Sequence, residues 1–167
     1  VHVLPATASI DDVRAVRPDG VFFSNGPGDP ATAQVQAQLL REVMGDGTPY
    51  FGICFGNQIL GKALGFGTYK LKYGHRGINQ PVMDRTTGNV EVTAHNHGFA
   101  VDADTLPANL RVTHVSLFDG SLQGLARTDV PAFCFQGHPE ASPGPHDVSY
   151  LFDRFIKLMQ EKGAQHA

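Results

Sequence analysis

Residues 49–65 read PYFGICFGNQILGKALG, an apolar run with glycines two positions before and two positions after Cys54. A strand that passes through Gly-x-Cys-x-Gly into a helical pattern is the layout of a nucleophile elbow, a sharp turn that presents one side chain at the end of the strand. The glycines permit the turn and the close packing around it. The stretch therefore predicts a strand over residues 50–54, a helix from about residue 57 to 64, and a nucleophilic Cys54 between them.

The sequence before this stretch alternates between strand and helix patterns. Short strands are predicted over residues 1–4 and 20–24, and helices over residues 9–16, with Ser9 as the N-cap, and 31–44. Strands that alternate with helices build a parallel sheet covered by helices on both faces. The first part of the chain thus predicts the α/β class.

The second half has a different pattern, with short strand candidates separated by turn residues. We expect this region to be antiparallel or mixed, followed by a buried strand within residues 131–140 and a final helix over residues 148–161. The strand candidates are residues 69–71, 80–83, 90–94, 100–102, 110–116 and 122–126.

Composition narrows the classes of partner. The 167 residues suit one domain, and 13 Lys and Arg against 16 Asp and Glu, with no basic run, argue against nucleic acid. There is no apolar stretch of the roughly 20 residues that span a bilayer, and no basic segment followed by an apolar one at the amino terminus. We expect a soluble, cytoplasmic protein without a membrane partner, whose two cysteines, Cys54 and Cys134, are free thiols.

A cysteine nucleophile needs a base, and the base needs an orienting group. His138 follows a predicted strand in QGHPE, and Glu140 lies two residues on, so both side chains project to one side of an extended chain. Reactive groups in an open α/β sheet gather at the carboxyl ends of the strands, where Cys54 also falls. The alternative is an ordinary surface His–Glu pair. Cys134, in AFCFQ without flanking glycines, has the pattern of a core cysteine.

The turn NGPGDP, residues 25–30, follows the second predicted strand. It is not a phosphate loop, because it has no Gly-Lys-Ser/Thr, and Pro27 and Pro30 remove backbone donors. Backbone N–H groups of Gly26 or Gly28 fit better as donors to a developing oxyanion, together with the N–H of the residue after the nucleophile.

Three histidines raise the question of a metal site. His95 and His97 occur in AHNHGF, and His75 occurs in YGHRG. No cysteine or acidic residue at a suitable spacing completes a ligand set. The sequence therefore predicts no metal.

Three motifs taken together, SNGPGDP, PYFGICFGNQ and QGHPEASPGPHD, resemble the class I (triad) glutamine amidotransferases. YGHRGINQPV, NHGFAVD and SLFDG are similar to one branch of that family, the small subunit of carbamoyl-phosphate synthetase. The resemblance runs from Val1 to about Lys157. It implies a three-layer, flavodoxin-like α/β fold with a mixed, mostly parallel sheet and helices on both faces.

The resemblance also implies roles for particular residues. Cys54 would be the nucleophile, His138 the base and acid, and Glu140 the group that orients His138. The residues that hold the substrate or its oxyanion would be Gly26, Gly28, Phe55, Gln58, Asn96, Gly98 and Phe99.

The implied reaction is hydrolysis of L-glutamine through a thioester on Cys54. The ammonia would pass to a large synthetase subunit, which uses bicarbonate, ATP and Mg²⁺ to make carbamoyl phosphate for arginine and pyrimidine synthesis. This chain itself would need no cofactor.

The chain departs from the family pattern in two places near the site. Asn57 stands where many members have His, and His95 stands where Gln often precedes Asn-His-Gly. We expect both to tune rate or coupling only. Residues 1–167 would form one glutaminase domain, and we expect the family's amino-terminal domain and first strand and helix to be absent from this chain.

Two other functions remain open. The same fold and triad could serve a cysteine peptidase or γ-glutamyl hydrolase, which would need a more open cleft. A non-catalytic regulatory or scaffold domain is the second alternative, and the presence of Cys54 counts against it.

Overall fold

A computed structural model of the protein describes residues 1–165, which form a central sheet with helices packed against it. A 3₁₀ turn at Pro30–Thr32 precedes the second helix. The elements in chain order are α1 (Ile10–Ala15), β1 (Val21–Phe23), α2 (Gln34–Gly45), β2 (Tyr50–Ile53), α3 (Phe55–Ala63), β3 (Gly67–Asp84), β4 (Val90–Asp102), β5 (Leu110–Ser116), β6 (Leu122–Arg127), β7 (Ala132–Phe135) and α4 (Tyr150–Gln165).

The seven strands lie in the order β1-β2-β7-β6-β5-β3-β4. β1, β2 and β7 run parallel, whereas the pairs from β7 through β4 are antiparallel. α2 forms the crossover between the parallel strands β1 and β2, and short connections join the antiparallel pairs β3–β4, β5–β6 and β6–β7. The predicted mixed sheet is confirmed, but the expectation that it is mostly parallel is wrong, because two of the six neighbouring pairs are parallel and four are antiparallel. Because β2 pairs with β7, their carboxyl ends meet at one edge.

The alternation of side chains along β2 divides the core into two layers. Tyr50 faces α2 and α3, while Phe51 and Ile53 face α4 on the opposite side of the sheet. On that second face the rings of Phe51 and Phe133 stack with centroids 4.5 Å apart. β2 and β7 are buried along their whole length, as central parallel strands require. Helices pack on both faces of the sheet, as predicted.

The predicted strand over residues 1–4 is wrong. These residues form no regular structure, and Val1 and Val3 are exposed. A strand is stable only when its backbone groups pair with a neighbour, and no described strand pairs with this segment. In the part of the chain that the structure describes, β1 lies at the edge of the sheet with β2 as its only partner.

Two pairs of predicted short strands are each one long strand. Residues 69–71 and 80–83 belong to β3, and residues 90–94 and 100–102 belong to β4. The glycines that resemble turns, Gly74 at φ 74° and Gly77 at φ 111°, lie at shifts in the β3–β4 register. Glycine with positive φ is typical of β-bulges as well as of turns. The bulges bend the pair without reversing the chain.

Helix boundaries differ from the predictions by a few residues. α1 begins after Ser9, which forms the predicted N-cap as part of a reciprocal capping box with Asp12. α3 begins at Phe55, directly after Cys54. No helix within residues 1–165 combines the length and the apolar character needed to cross a membrane.

Alanine substitutions at two glycines, Gly56 and Gly45, test how closely α3 packs on β1. A β-carbon at Gly56 would lie 2.6 Å from the backbone oxygen of Phe23, whereas one at Gly45, at the end of α2, would meet nothing within 4 Å. We expect Gly56→Ala to lower the free energy of unfolding by about 1–3 kcal/mol and Gly45→Ala to raise it by up to about 1 kcal/mol. Urea unfolding of both variants measures this, and equal effects would contradict the packing described here.

Candidate active site

Cys54 joins β2 to α3 in a strained conformation. Its backbone has φ 50° and ψ −105°, a region that non-glycine residues rarely adopt. The amide of Cys54 donates a hydrogen bond of 2.9 Å to the carbonyl of Phe135 on β7, and α3 begins at the next residue. Strain of this kind persists where the surroundings fix it, and it is frequent at functional sites. The geometry is that of the predicted elbow, with the positive end of the α3 dipole at the cysteine.

His138 lies just beyond the carboxyl end of β7. Its amide donates a 2.8 Å hydrogen bond to the carbonyl of Ala94 on β4, which fixes the loop, and its Nδ1 donates one of 2.8 Å to Oε1 of Glu140. Since a carboxylate only accepts, Nδ1 carries the hydrogen. The Nε2 atom of His138 is buried and makes no hydrogen bond within residues 1–165. The structure thus pairs His138 with Glu140 as predicted from their spacing.

Cys54 and Glu140 both favour the charged form of His138. The thiol of Cys54 is the largest influence that raises the pKa of His138 to about 10, followed by Glu140, while burial opposes them. Burial alone would raise the pKa of Glu140, but the hydrogen bond from His138 lowers it below its usual range. The Cys54 sulfur lies 4.0 Å from the carbonyl oxygen of Asn96, and no conventional hydrogen bond joins it to Nε2.

Cys134 has a different environment from Cys54. Both cysteines are free, as expected. Cys134 lies within β7, and its thiol donates to Oδ1 of Asn57 at 3.0 Å. Burial raises the pKa of this thiol to about 12, so it stays protonated at neutral pH. Cys134 is therefore a core cysteine, as its sequence context predicts.

The predicted oxyanion loop lies at the same edge of the sheet. Residues 24–29 follow β1 and are exposed. Gly26 lies against Phe55, since a β-carbon added to Gly26 would be 3.6 Å from the ring. Gly28 has φ 110°, which suits glycine, in a more open part of the loop.

The other predicted substrate residues lie along β4 and α3. Asn96 is exposed beside Cys54, Gly98 and Phe99 are half-buried, and Gln58 is buried. The Nε2 of Gln58 donates to the carbonyl of Phe99 at 2.9 Å and to Oε1 of Gln136 at 3.2 Å. Its amide hydrogens are thus held by the protein itself, which leaves its role toward a substrate a prediction.

Sequence reasoning missed Gln136 and underestimated Asn57. Oε1 of Gln136 also accepts a 3.0 Å hydrogen bond from Nδ2 of Asn57. Oδ1 of Asn57 in turn accepts a hydrogen bond from the Cys134 thiol. All three groups are buried beneath the elbow. The sequence feature that could have identified this residue is its position, because Gln136 is the first polar residue after the apolar stretch AFCF.

The structure brings together the three histidines that the sequence did not assign to a site. The pairing of β3 with β4 sets His75 directly opposite His97, and His95 lies two residues earlier on β4. All three rings are buried. Burial lowers the pKa of His97 to about 4 and that of His95 still further, so both are neutral at pH 7.

A cleft of about 560 Å³ lies next to this cluster and not at the cysteine. It is lined by Leu71, Lys72, Tyr73, Gly74, His75, Arg76, Gln80, Phe118 and Asp119.

Comparison with known families identifies the class of protein. The sequence profile described as "Glutamine amidotransferase class-I" matches residues 1–158. The chain therefore belongs to the class-I glutamine amidotransferases.

Within this class, the chain is similar to proteins named carbamoyl phosphate synthase small chain. That of Streptomyces avermitilis is 67% identical over 170 residues, which cover 98% of this chain and 45% of the relative. The protein from Polynucleobacter asymbioticus is 64% identical over a match that covers 94% of this chain and 40% of the relative. The protein from Bifidobacterium longum is 56% identical over a match that covers 99% of this chain and 43% of the relative. The chain thus spans less than half the length of these relatives.

Two solved structures share the fold. A protein described as a putative GMP synthase component, from Thermoplasma acidophilum, superposes with a TM-score of 0.80 at 19% identity, covering 99% of this chain and 84% of that one. A glutamine amidotransferase from Thermotoga maritima superposes with a TM-score of 0.59 at 21% identity, and the match covers 87% of this chain and 64% of that one. The likeness confirms the predicted fold class.

The pKa of His138 can be tested directly. Because folding raises it from 6.5 to about 10, protonated His138 stabilises the fold fully below pH 6.5, and this contribution is lost as the pH rises through about 10. Glu140→Gln removes a negative charge that favours the imidazolium. We expect the pKa of His138 to fall in this variant, so that the loss of this stabilising contribution, which begins near pH 6.5, is complete at a lower pH than in the wild type.

An NMR titration of the His138 ring in wild type and variant measures the shift. Glu161→Gln, an exposed site on α4, is the control and should leave the titration unchanged. The same midpoint in wild type and Glu140→Gln would show that the carboxylate does not act on the ring.

Proposed function

We propose that this chain is the glutamine-hydrolysing part of a carbamoyl phosphate synthase. The observation that carries the proposal is the strained Cys54 at the end of β2, beside a His138 that is held by Glu140 beyond the neighbouring strand. A thiol, a base and an orienting carboxylate are the parts that nucleophilic catalysis requires. Membership of the class-I glutamine amidotransferases and the names of the relatives support glutamine as the substrate.

In the proposed reaction, Cys54 is the nucleophile and His138 first acts as an acid. The Cys54 thiolate attacks the carbon of the glutamine side-chain amide, and the carbonyl electrons move onto oxygen. As the tetrahedral intermediate collapses, the C–N bond breaks and imidazolium His138 gives its Nε2 proton to the leaving nitrogen. Ammonia departs, and a γ-glutamyl thioester remains on the sulfur.

His138 then acts as a base. It takes a proton from a water molecule, the resulting hydroxide adds to the thioester carbon, and the C–S bond breaks to release glutamate and the thiolate. Glu140 holds the ring through Nδ1 and favours its charged form at each step. The raised pKa of His138 favours its imidazolium form, which can give up the Nε2 proton.

The oxyanion would be held by backbone N–H groups of Phe55 and of Gly26 or Gly28. Phe55 is the first residue of α3, where N–H groups have no acceptor within the helix. The contact of Gly26 with the Phe55 ring supports this arrangement. Asn96, Gly98 and Phe99 would offer backbone and amide groups to the amino-acid end of glutamine, with Gln58 beneath them.

A partner would consume the ammonia. The relatives are named as small chains of a synthase, so we propose that a large subunit binds this chain and uses ammonia with bicarbonate, ATP and Mg²⁺. Thiol chemistry with a His–Glu pair is complete without a bound cofactor, and none is proposed for the hydrolysis of glutamine.

Two cysteine variants test the assignment. We expect Cys54→Ser to lower ammonia release from L-glutamine by at least about three orders of magnitude, since loss of a nucleophile removes the chemical step. Cys134→Ser should stay near the wild-type rate, because its hydroxyl keeps the hydrogen bond to Asn57. Ammonia is measured with the chain alone and in the presence of a large synthetase subunit.

Two further outcomes would count against the proposal. Equal loss in both variants would remove the distinction between the cysteines. Faster cleavage of γ-glutamyl peptides than of glutamine would assign the site to a hydrolase of the same fold.

A further inference from the structure

The three buried histidines of β3 and β4 direct ring nitrogens at one another. Nε2 of His97 lies 3.2 Å from Nδ1 of His75 and 3.1 Å from Nδ1 of His95. One nitrogen from each ring lies within 4.8 Å of the other two. Nitrogens bound about 2.0–2.1 Å from a tetrahedral Zn²⁺ are separated by roughly 3.3–3.4 Å. The two shorter separations are therefore close to those of a zinc ligand shell.

The outer ring atoms of two of these histidines already have partners. Nε2 of His75 donates to the carboxylate of Asp119 at 2.8 Å, and Nδ1 of His97 donates to the carbonyl of Phe99 at 2.8 Å. A histidine that binds a metal usually donates its other N–H to a carboxylate or a backbone carbonyl, which fixes the tautomer and the ring orientation. Both kinds of support are present. The outer nitrogen of His95 is buried without a partner in the described chain.

These hydrogen bonds leave lone pairs facing each other. A neutral imidazole carries hydrogen on only one nitrogen, so whenever both rings are neutral, the inward nitrogens of His75 and His97 are two acceptors 3.2 Å apart. Nδ1 of His95 points at the same acceptor on His97. Two facing lone pairs are unfavourable unless an electron-poor centre lies between them, either an extra proton or a metal ion.

We propose that His75, His95 and His97 bind one divalent transition-metal ion, with Zn²⁺ as the ion that this ligand set suits best. Imidazole ligands select zinc and its neighbours over Mg²⁺ and Ca²⁺, which prefer oxygen. Three protein ligands leave a fourth position for water. The proposal revises the expectation of no metal and is independent of the amidotransferase reaction, since its readout is metal affinity.

The adjacent cleft gives an ion a route to the cluster. His75 and Asp119 line this open space of about 560 Å³, while the rest of the cluster is buried behind them. An entry path is one of the requirements for a metal site that fills after folding.

Calorimetric titration of the chelator-stripped chain with ZnCl₂ at neutral pH tests the site. We expect one Zn²⁺ per chain. His95→Gln removes a ligand and should weaken binding by more than the roughly 10–100-fold that loss of an outer partner costs. Asp119→Asn should weaken it by about 10–100-fold. His146→Gln, which removes an exposed histidine outside the cluster, should leave the affinity unchanged.

The Cys54–His138 pair is the competing location for an ion, and a further variant separates the two. Cys54→Ser should keep full zinc affinity if the ion binds the histidines. Titration with Co²⁺ should give the visible absorption of a four-coordinate site without a thiolate charge-transfer band. Circular dichroism checks that each variant is folded, and Asp119→Asn, at a partly exposed residue, keeps the test valid if His95→Gln unfolds.

Three results would overturn the proposal. One is the absence of stoichiometric Zn²⁺ binding, which would leave an extra proton as the bridge between the rings. Another is an affinity that survives both His95→Gln and Asp119→Asn. The third is an affinity lost in Cys54→Ser and kept in His95→Gln, which would place the ion at the cysteine.

Discussion

The turn at Cys54 is the constraint on which the rest of this structure depends. A non-glycine residue at φ 50° costs of order 1–3 kcal/mol, so the surrounding elements must hold it. Tyr50, on β2, helps to hold this turn. Its hydroxyl donates a 2.8 Å hydrogen bond to the carbonyl of Gly56 and so connects β2 to the first turn of α3. Gly56 allows the helix to approach β1 closely. The thiol is consequently presented at the sheet edge by rigid elements.

β4 contacts the cysteine, the His138 loop and the histidine cluster at this edge of the sheet. Its Ala94 carbonyl anchors the amide of His138, and its Asn96 carbonyl lies beside the sulfur. His95 and His97 alternate with these residues along β4, and Nε2 of His97 lies within hydrogen-bond distance of both His95 and His75. One short segment thus positions the proposed catalytic base and supplies two ligands of the proposed metal site, so the two sites share a backbone although their side chains are distinct.

The parts of the site that could be predicted from sequence are those encoded locally. Gly-x-Cys-x-Gly specifies the elbow, and two residues of extended chain pair His138 with Glu140, because neither requires knowledge of distant contacts. The histidine cluster could not be predicted, since it needs the register of β3 on β4, and that register shifts at two bulges. The strand predicted over residues 1–4 was wrong for the same reason, because pairing with a neighbouring strand, and not apolar composition, decides whether a strand forms.

The central claim is that Cys54 forms a covalent thioester with glutamine while Cys134 does not. The most direct measurement is mass spectrometry of the protein mixed with L-glutamine, quenched in acid and digested. A γ-glutamyl adduct on the peptide that contains Cys54, absent from the peptide that contains Cys134, is the predicted result. An adduct on neither peptide during active turnover, or on Cys134, would contradict the account.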